Sequence, residues 1–361
     1  MKKSAKLSLT LALMMGITGG VQLMNTNTAS AEISDNFRLR LEGVMSYYHD
    51  PDYNYYNNSS KNAMNGWNHY TRLYFTYNVD RNTTAYARVH SGYDQYADHY
   101  KYDNNYTYFD QAYFTFKDKV SSTTYLLGKR GMTLGQSMVY NATGNQTGVQ
   151  IDLGNWYDPN NIKFFWGDRK GGQRVLGAQA AFSPLKNIQF TATQLYHEDN
   201  TRKGGKDNVT DFGVKAKAKA FTLVGEYAYN HTSNPAYHSA YSTAAQKATL
   251  SKDSSQRKAW FVELYTGPTN DFGSGLPLQK VGTHAFSIRY QDVAPAGTVV
   301  HNNTFYDNRK GVRLNYGYVF KKGMSADICY GRMKDKGMGK FTEGKGHMSN
   351  IVVASISYKF K

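Results

Sequence analysis

FRLRLEGVMSYY, residues 37–48, alternates apolar and polar side chains along most of its length. Leu39 and Leu41 fall on one side of an extended chain, and Arg38 and Arg40 fall on the other. A period of two residues predicts a β-strand with one apolar face and one wet face. The apolar face would cover a core in a soluble sandwich, whereas it would face lipid in a membrane barrel.

The same alternation recurs along the chain. It is found at residues 72–77, 84–90, 111–116, 212–217, 260–265, 286–291 and 312–318. β-Branched and aromatic residues are common in these segments, and a helical period of 3.6 does not fit them. The sequence therefore predicts an all-β protein.

The connections between the predicted strands alternate in length. Short turns are predicted at Val79–Asn82, Asp118–Ser121, Pro184–Lys186, Lys219–Ala220 and Lys321–Gly323. Long polar stretches occupy His49–Asn65, Tyr93–Tyr106, His197–Asn208, His231–Ser255, Asp292–Arg309 and Lys334–Met348. Such alternation is typical of strands that run up and down between two different surfaces, and a sandwich or propeller gives no reason for it.

Counting strands by these rules gives about sixteen, with the weakest assignments at Thr147–Leu153 and Ile162–Asp168. An even number suits an outer-membrane barrel, and a water-filled lumen opens at about sixteen strands. Gly267–Gly282 breaks the rule because it is long where a short turn is expected. Either a strand pair is misassigned there, or the turn folds into the mouth of the barrel.

The first 31 residues have the features of a cleaved export signal. A basic start precedes a largely apolar stretch, and Ala29-Ser30-Ala31 offers small residues for cleavage. A membrane-spanning helix is the alternative, but glycines and polar residues interrupt the apolar stretch. We therefore expect residues 1–31 to be removed and residues 32–361 to form a single barrel domain.

The composition of the remaining chain limits the fold. No apolar run in it approaches the roughly 18 residues that a spanning helix needs, and the mean hydropathy of the full 361-residue sequence is −0.63. A helical membrane bundle is therefore excluded, which leaves a soluble secreted protein or a barrel that is apolar only on alternate residues. Cys329 is the only cysteine, so the sequence predicts no intrachain disulfide and no cysteine-based zinc site. Neither a metal nor a cofactor is expected.

The chain is strongly basic, with a formal net charge of +16. Removal of the three lysines of the expected signal lowers this charge by three, to +13. The basic residues are scattered singly along the alternating segments rather than clustered in one run or on one helix, so nucleic acid is not expected as a partner. The pattern favours charges spread over the wall of a channel.

Four parts of the sequence carry a resemblance to a known family: the export signal, the first strand, AYFTFK at Ala112–Lys117 and LLGKRG at Leu126–Gly131. They resemble the trimeric porins of Gram-negative-type outer membranes, especially those of diderm Firmicutes. The terminal segment Ser349–Phe360 fits as well. The resemblance implies a transmembrane antiparallel up-and-down β-barrel in the cell outer membrane, with short periplasmic turns and long external loops. It also implies a homotrimer surrounded by outer-membrane lipid.

Two features depart from that family. Its members usually end on an aromatic residue, whereas Lys361 follows Phe360 here. The family's inward-folded third loop corresponds to Gly131–Gln146, which carries none of the acids found in cation-preferring porins. The residues expected at this constriction are Met132, Gln136, Tyr140 and Asn141.

If the polar faces point inward, charged side chains line the lumen. The expected wall residues are Arg38, Arg40, Glu42, Arg72, Arg88, Arg130, Lys215, Lys217, Glu226, Glu263, Arg289 and Arg313, with Asp327 as a further acid. A surplus of cations raises the local concentration of anions, so we expect passive diffusion of small hydrophilic or anionic solutes with a weak preference for anions. Alternatively, individual cations pair with acids on neighbouring strands and only stabilise the wall.

Three other functions fit less well. An oligosaccharide-selective channel would stack sugars on loop tyrosines such as Tyr53, Tyr55 and Tyr56, but such residues more often form a girdle at the membrane interface. A non-conducting tether or adhesin barrel would favour a plugged lumen or an added domain. An enzyme is not expected, because Gly135–Val139 fails the nucleophile-elbow pattern at its last position and no calcium-loop or ligand-spaced histidine motif is complete.

Overall fold

The computed structural model describes the chain in ten stretches. These are residues 36–50, 64–93, 105–154, 160–169, 173–199, 205–232, 254–294, 296–299, 309–336 and 348–360. The expected export signal lies outside the described residues. No helix in these stretches is long and apolar enough to cross a membrane.

Sixteen antiparallel strands close into one barrel. They are β1 (Phe37–Asp50), β2 (Met64–Asn78), β3 (Thr83–Tyr93), β4 (Asn105–Asp118), β5 (Thr123–Leu134), β6 (Tyr140–Leu153), β7 (Asn161–Arg169), β8 (Gln173–Leu185), β9 (Ile188–Asp199), β10 (Gly205–Ala218), β11 (Phe221–Asn230), β12 (Lys258–Thr266), β13 (His284–Val293), β14 (Arg309–Lys321), β15 (Met324–Asp335) and β16 (Met348–Phe360). Each strand pairs with its sequence neighbours, and β1 pairs with β16, so the sheet has no free edge. The predicted fold class is confirmed, and the two weak strand assignments lie within β6 and β7.

Side chains alternate between the two faces of the wall. Along β12, Phe261 and Glu263 are buried, whereas Val262 and Leu264 are exposed. Contacts with segments inside the barrel, given below, place the buried set on the inner face. The outer face carries many exposed apolar side chains, among them Leu39, Trp166, Phe182, Phe212, Leu264, Ile328 and Ile356.

Most connections at one end of the barrel, which we call the short-turn end, are tight as predicted. In the turn after β2, the Asp80 carboxylate accepts hydrogen bonds from the backbone N–H groups of Asn82 and Thr83, at 2.7 and 2.9 Å. This local capping satisfies backbone donors and fixes the turn.

Connections at the other end, the long-loop end, are less uniform than predicted. The stretch His197–Asn208 is mostly strand rather than loop, because β9 and β10 keep pairing as far as Asp199 and Gly205. His197 Nδ1 and Asp207 Oδ2 are 2.9 Å apart across this pair and are both buried. A run of polar residues predicts a loop, and the sequence does not reveal that two of them form a hydrogen bond inside the barrel.

The Gly267–Gly282 connection at the short-turn end folds back into the barrel. It contains a short 3-10 turn at Leu276–Leu278. Phe272 and Leu276 are buried against Ala285 of β13 and Val319 of β14. Of the two alternatives that the sequence leaves open, the inward fold is the one observed, and we call this segment the mouth insert.

Candidate functional site in the barrel interior

The hairpin of β5 and β6 bends into the barrel. A register shift lies between Arg130 and Met132, after which Leu134 pairs with Tyr140. Extra residues in one strand bend the pair and increase its twist. The loop expected over Gly131–Gln146 is therefore mostly paired strand with a five-residue tip, residues 135–139, and we call Met132–Tyr140 the inward hairpin.

The tip of the inward hairpin reaches strands on another part of the wall. The Gly135 N–H donates to Gln179 Oε1 of β8 at 2.7 Å, and the Met138 N–H donates to Glu226 Oε2 of β11 at 3.0 Å. Gln136 Nε2 donates to Thr191 Oγ1 of β9 at 3.4 Å. Because the tip lies inside the barrel, these contacts identify the inner face of β8–β11.

Gly135 is required where the tip meets the wall. Its φ of +63° lies in the left-handed region, and a Cβ built on it would collide with the Glu226 carboxylate and lie 2.6 Å from Asp211 Oδ2. Both carboxyl groups are buried and face the tip. Only glycine can adopt this backbone conformation and also come this close to the two carboxyl groups.

Apolar packing holds the inward hairpin against the wall. One buried cluster joins Met132, Leu134, Met138, Val139 and Tyr140 of the hairpin with Phe165, Val175, Leu195, Val209, Val224 and Phe261 of β7–β12. From the long-loop end, Val299 donates its N–H to the Val139 carbonyl at 3.1 Å. Each fully buried side chain of this size contributes about 1.5–3 kcal/mol, so the hairpin is firmly seated.

The expected constriction residues have different positions. Met132 and Tyr140 are buried in this cluster and anchor the hairpin. Gln136 lies at the tip, and Asn141 accepts a hydrogen bond from Thr133 Oγ1 at 3.3 Å. At the tip itself, the side chains of Gln136 and Ser137 are half-buried.

Arginine and tyrosine side chains alternate across the inner face of β1–β5, which we call the arginine–tyrosine wall. Its members are Arg40, Tyr70, Arg72, Tyr74, Tyr86, Arg88, Tyr113 and Arg130. The guanidinium carbons of Arg40 and Arg72 lie 3.7 and 4.2 Å from the ring centroids of Tyr74 and Tyr70. Cation–π contacts of this kind hold the guanidinium groups in place while leaving them charged.

Arg88 is neutralised by Asp110, an acid that the sequence analysis missed. Arg88 Nε donates to Asp110 Oδ1 at 2.7 Å, Nη2 donates to Oδ2, and both side chains are almost fully buried. Asp110 faces inward because of a register shift between β3 and β4 at Arg88 and Val89. No sequence signal marks that shift.

Glu42 is surrounded by three cations. Its carboxylate lies 3.3 Å from Lys359 Nζ, 3.5 Å from Arg72 Nη1 and 4.0 Å from Arg40 Nη2. It also accepts a hydrogen bond from the Tyr74 hydroxyl. The cluster ties β16 to β1 and β2 where the barrel closes. Lys359 was missed, although it alternates with the outward residues of the last strand.

A second group of charges lies on β12–β14. Arg289 Nη2 donates to Glu263 Oε2 at 2.9 Å, and its guanidinium lies 5.1 Å from the centroid of the Phe261 ring. Arg313 Nη2 lies 3.3 Å from Cys329 Sγ. Both members of the Arg289–Glu263 pair are buried.

The remaining expected wall residues lie nearer the ends of the strands. Arg38, Lys215 and Lys217 share the parity of the inner face and are exposed near the short-turn end. The expected wall residues thus all occupy the inner face, but Glu226 lies beneath the inward hairpin rather than beside Arg72 and Arg88. Within the described stretches, no group of three or more His, Cys, Asp and Glu side chains is placed to hold a metal ion.

The loop tyrosines considered for sugar binding are only partly placed. Tyr53, Tyr55 and Tyr56 lie outside the described residues. Tyr47 faces outward, with its ring 5.3 Å from that of Trp67. An outward aromatic pair near a strand end is typical of a membrane-interface position.

No protein-family model and no curated protein matches this sequence. Solved structures do match the fold. Salmonella typhi OmpF, in a complex with daunomycin, aligns with a TM-score of 0.56 and 11% identity over 90% of this chain and 98% of its own. A triple mutant of the Rhodopseudomonas blastica porin aligns with a TM-score of 0.54 and 10% identity over 90% of this chain and 100% of its own. The chain therefore shares the fold of bacterial porins.

Proposed function

We propose that this protein is an outer-membrane porin through which small hydrophilic solutes diffuse passively. The observation that carries the proposal is the asymmetric interior, in which a wall of arginines and tyrosines on β1–β5 is separate from the inward hairpin seated on β7–β12. The exposed apolar outer face suits contact with lipid, and the alignment with a porin structure covers 90% of this chain. A hydrolytic or other enzymatic role has no comparable support.

The charge distribution supports a weak preference for anions. The Arg88–Asp110 and Arg289–Glu263 pairs cancel much of their own charge. Around Glu42, however, three cations share one acid. The net positive field at this wall concentrates anions in the lumen.

The cell outer membrane, removal of residues 1–31 and a homotrimer belong to the same proposal. They are supported by the export-signal pattern, the apolar outer face and the shared porin fold. The partners would then be outer-membrane lipid and two further copies of this chain. Nucleic acid has no role in it.

An oligosaccharide-selective channel is the second candidate. Tyr86 and Tyr113 stack on the inner face with ring centroids 4.7 Å apart, and Tyr70 and Tyr74 lie on the same face. Aromatic faces beside hydrogen-bonding cations are suited to bind sugar rings. A saturable block of the current by one oligosaccharide, reduced in Tyr113→Ala, would favour this candidate over general diffusion.

Liposome swelling tests the diffusion proposal. Folded protein, verified by its heat-modifiable migration on a gel, is reconstituted into liposomes, and swelling is followed in isotonic solutions of uncharged solutes. The proposal predicts swelling rates that fall smoothly with solute size. Folded protein that leaves the rate at that of empty liposomes would contradict it.

A further inference from the structure

The mouth insert lies along the inner wall at the short-turn end. Asn270 Nδ2 donates to Glu263 Oε2 of β12 at 2.8 Å, and Lys359 Nζ of β16 donates to the Ser274 carbonyl at 3.0 Å. A Cβ built on Gly273 would lie 3.9 Å from Cγ2 of Val44 on β1. The insert therefore spans the inner wall from β12 to β1.

The wall contains a seat for the insert. A Cβ built on Gly317 of β14 would lie 2.5 Å from Leu276 Cδ2 and 2.6 Å from Phe272 Cδ1. Ala285, another small residue, packs against the same two side chains. Small inward residues at this point make room for Phe272 and Leu276, so the wall and the insert fit each other.

The insert also has its own internal structure. The Asp271 carboxylate accepts hydrogen bonds from Ser274 N–H at 2.9 Å and from Ser274 Oγ at 2.6 Å. The Leu276 N–H donates to the Asp271 carbonyl at 2.9 Å, and the Gly282 N–H donates to the Val319 carbonyl at 2.8 Å. Ordering a long connection where a tight turn would suffice costs conformational entropy, and the dense hydrogen bonding offsets that cost.

The two inward segments come from opposite ends of the barrel, and the sectors that they cover meet at β12. The inward hairpin packs against β7–β12, and the mouth insert covers the wall from β12 to β1. We propose that the mouth insert forms a second constriction, at the short-turn end, that limits the size of the solutes passing the proposed porin. The insert carries one acid, Asp271, and one base, Lys280, so it selects by size more than by charge.

A deletion tests this inference, which rests on the proposed porin function. Removing Pro268–Val281 joins Gly267 to Gly282 and leaves five residues between the paired Thr266 and Phe286, a common hairpin loop length. We expect a larger single-channel conductance and permeation by larger sugars in liposome swelling. An unchanged conductance and size limit, with a conducting wild type, would overturn the second constriction and leave the porin function standing.

Point variants test the same inference in the full-length chain. Leu276→Ser removes a fully buried anchor, whereas Leu278→Ser changes an exposed residue in the same 3-10 turn. We expect Leu276→Ser alone to raise the conductance or its fluctuations, and equal behaviour of the two variants would count against the seat.

The wild type separates the two proposals. Current in the deletion variant but not in the wild type would support an insert that obstructs the mouth. Folded protein that conducts in neither form would overturn both the porin function and the second constriction.

Discussion

Asp110 faces the barrel interior only because the pairing of β3 with β4 slips at Arg88. The register shift brings the Asp110 carboxylate to the buried guanidinium of Arg88. The arginines on the inner face were predicted from the period of two in the sequence, since parity alone decides the face. Glu42 and Glu263 were expected on the same wall, but Asp110 and the choice of partner for each arginine were not predicted, because pairing depends on register and bulges that a single sequence does not reveal.

Loss of the Asp110 carboxylate is expected to destabilise the barrel. Asp110→Ala leaves the Arg88 guanidinium buried without its acid, which costs about 3–5 kcal/mol when a buried pair is broken. Denaturant unfolding of the reconstituted protein measures the change. Glu198→Ala, which breaks a pair with the exposed side chain of Lys206, is the control and is expected to change the free energy of unfolding much less. Equal effects of the two substitutions would contradict the buried pair.

Gly135→Ala is expected to lower the single-channel conductance. The new methyl group collides with the Glu226 carboxylate and pushes the tip of the inward hairpin into the lumen. Gly331→Ala is the control, because a Cβ added at this position on β15 would lie 3.6 Å or more from its nearest neighbours. If both variants conduct alike, the close approach of Gly135 to the wall does not position the hairpin.

At the scale of elements, alternation predicted the strands and most of the short turns well, but it did not predict the bounds of the inward hairpin or settle the course of the mouth insert. The strands could be predicted because each one shows its own alternation of apolar and polar side chains, which is a local feature of the sequence. The inward hairpin and the mouth insert depend on seats elsewhere in the chain, such as Gln179 and Glu226 for the hairpin and Gly317 for the insert. The loop expected over Gly131–Gln146 was therefore too long, although its inward course was anticipated by resemblance.

The outward face of a strand offers a direct test of lipid contact. Ile288 lies mid-strand on β13 and points outward. Ile288→Arg is expected to cost roughly 2–4 kcal/mol near the bilayer midplane, measured by unfolding from lipid vesicles, with Ile288→Leu as the control. A cost near zero in vesicles would contradict a lipid-facing position.

At the scale of the whole molecule, the barrel closes through β1 and β16 beside the Glu42 cluster, and two segments fold into it from opposite ends. The fold class was predicted because about sixteen expected strands, joined by connections of alternating length, leave few architectures. The inward course of the mouth insert was one of two alternatives, because a connection of that length fits a missed strand pair equally well. The cation surplus near Glu42 is a property of the assembled wall and of no single strand.

Single-channel recording in planar lipid bilayers, with the reversal potential measured under a salt gradient, tests the central proposal most directly. We expect ohmic current steps and a reversal potential displaced modestly toward the equilibrium potential of the anion, because three cations share Glu42 at the lumen wall. Well-folded, heat-modifiable protein that gives no current would contradict the channel, and a clear cation preference would contradict the proposed field of the arginine–tyrosine wall.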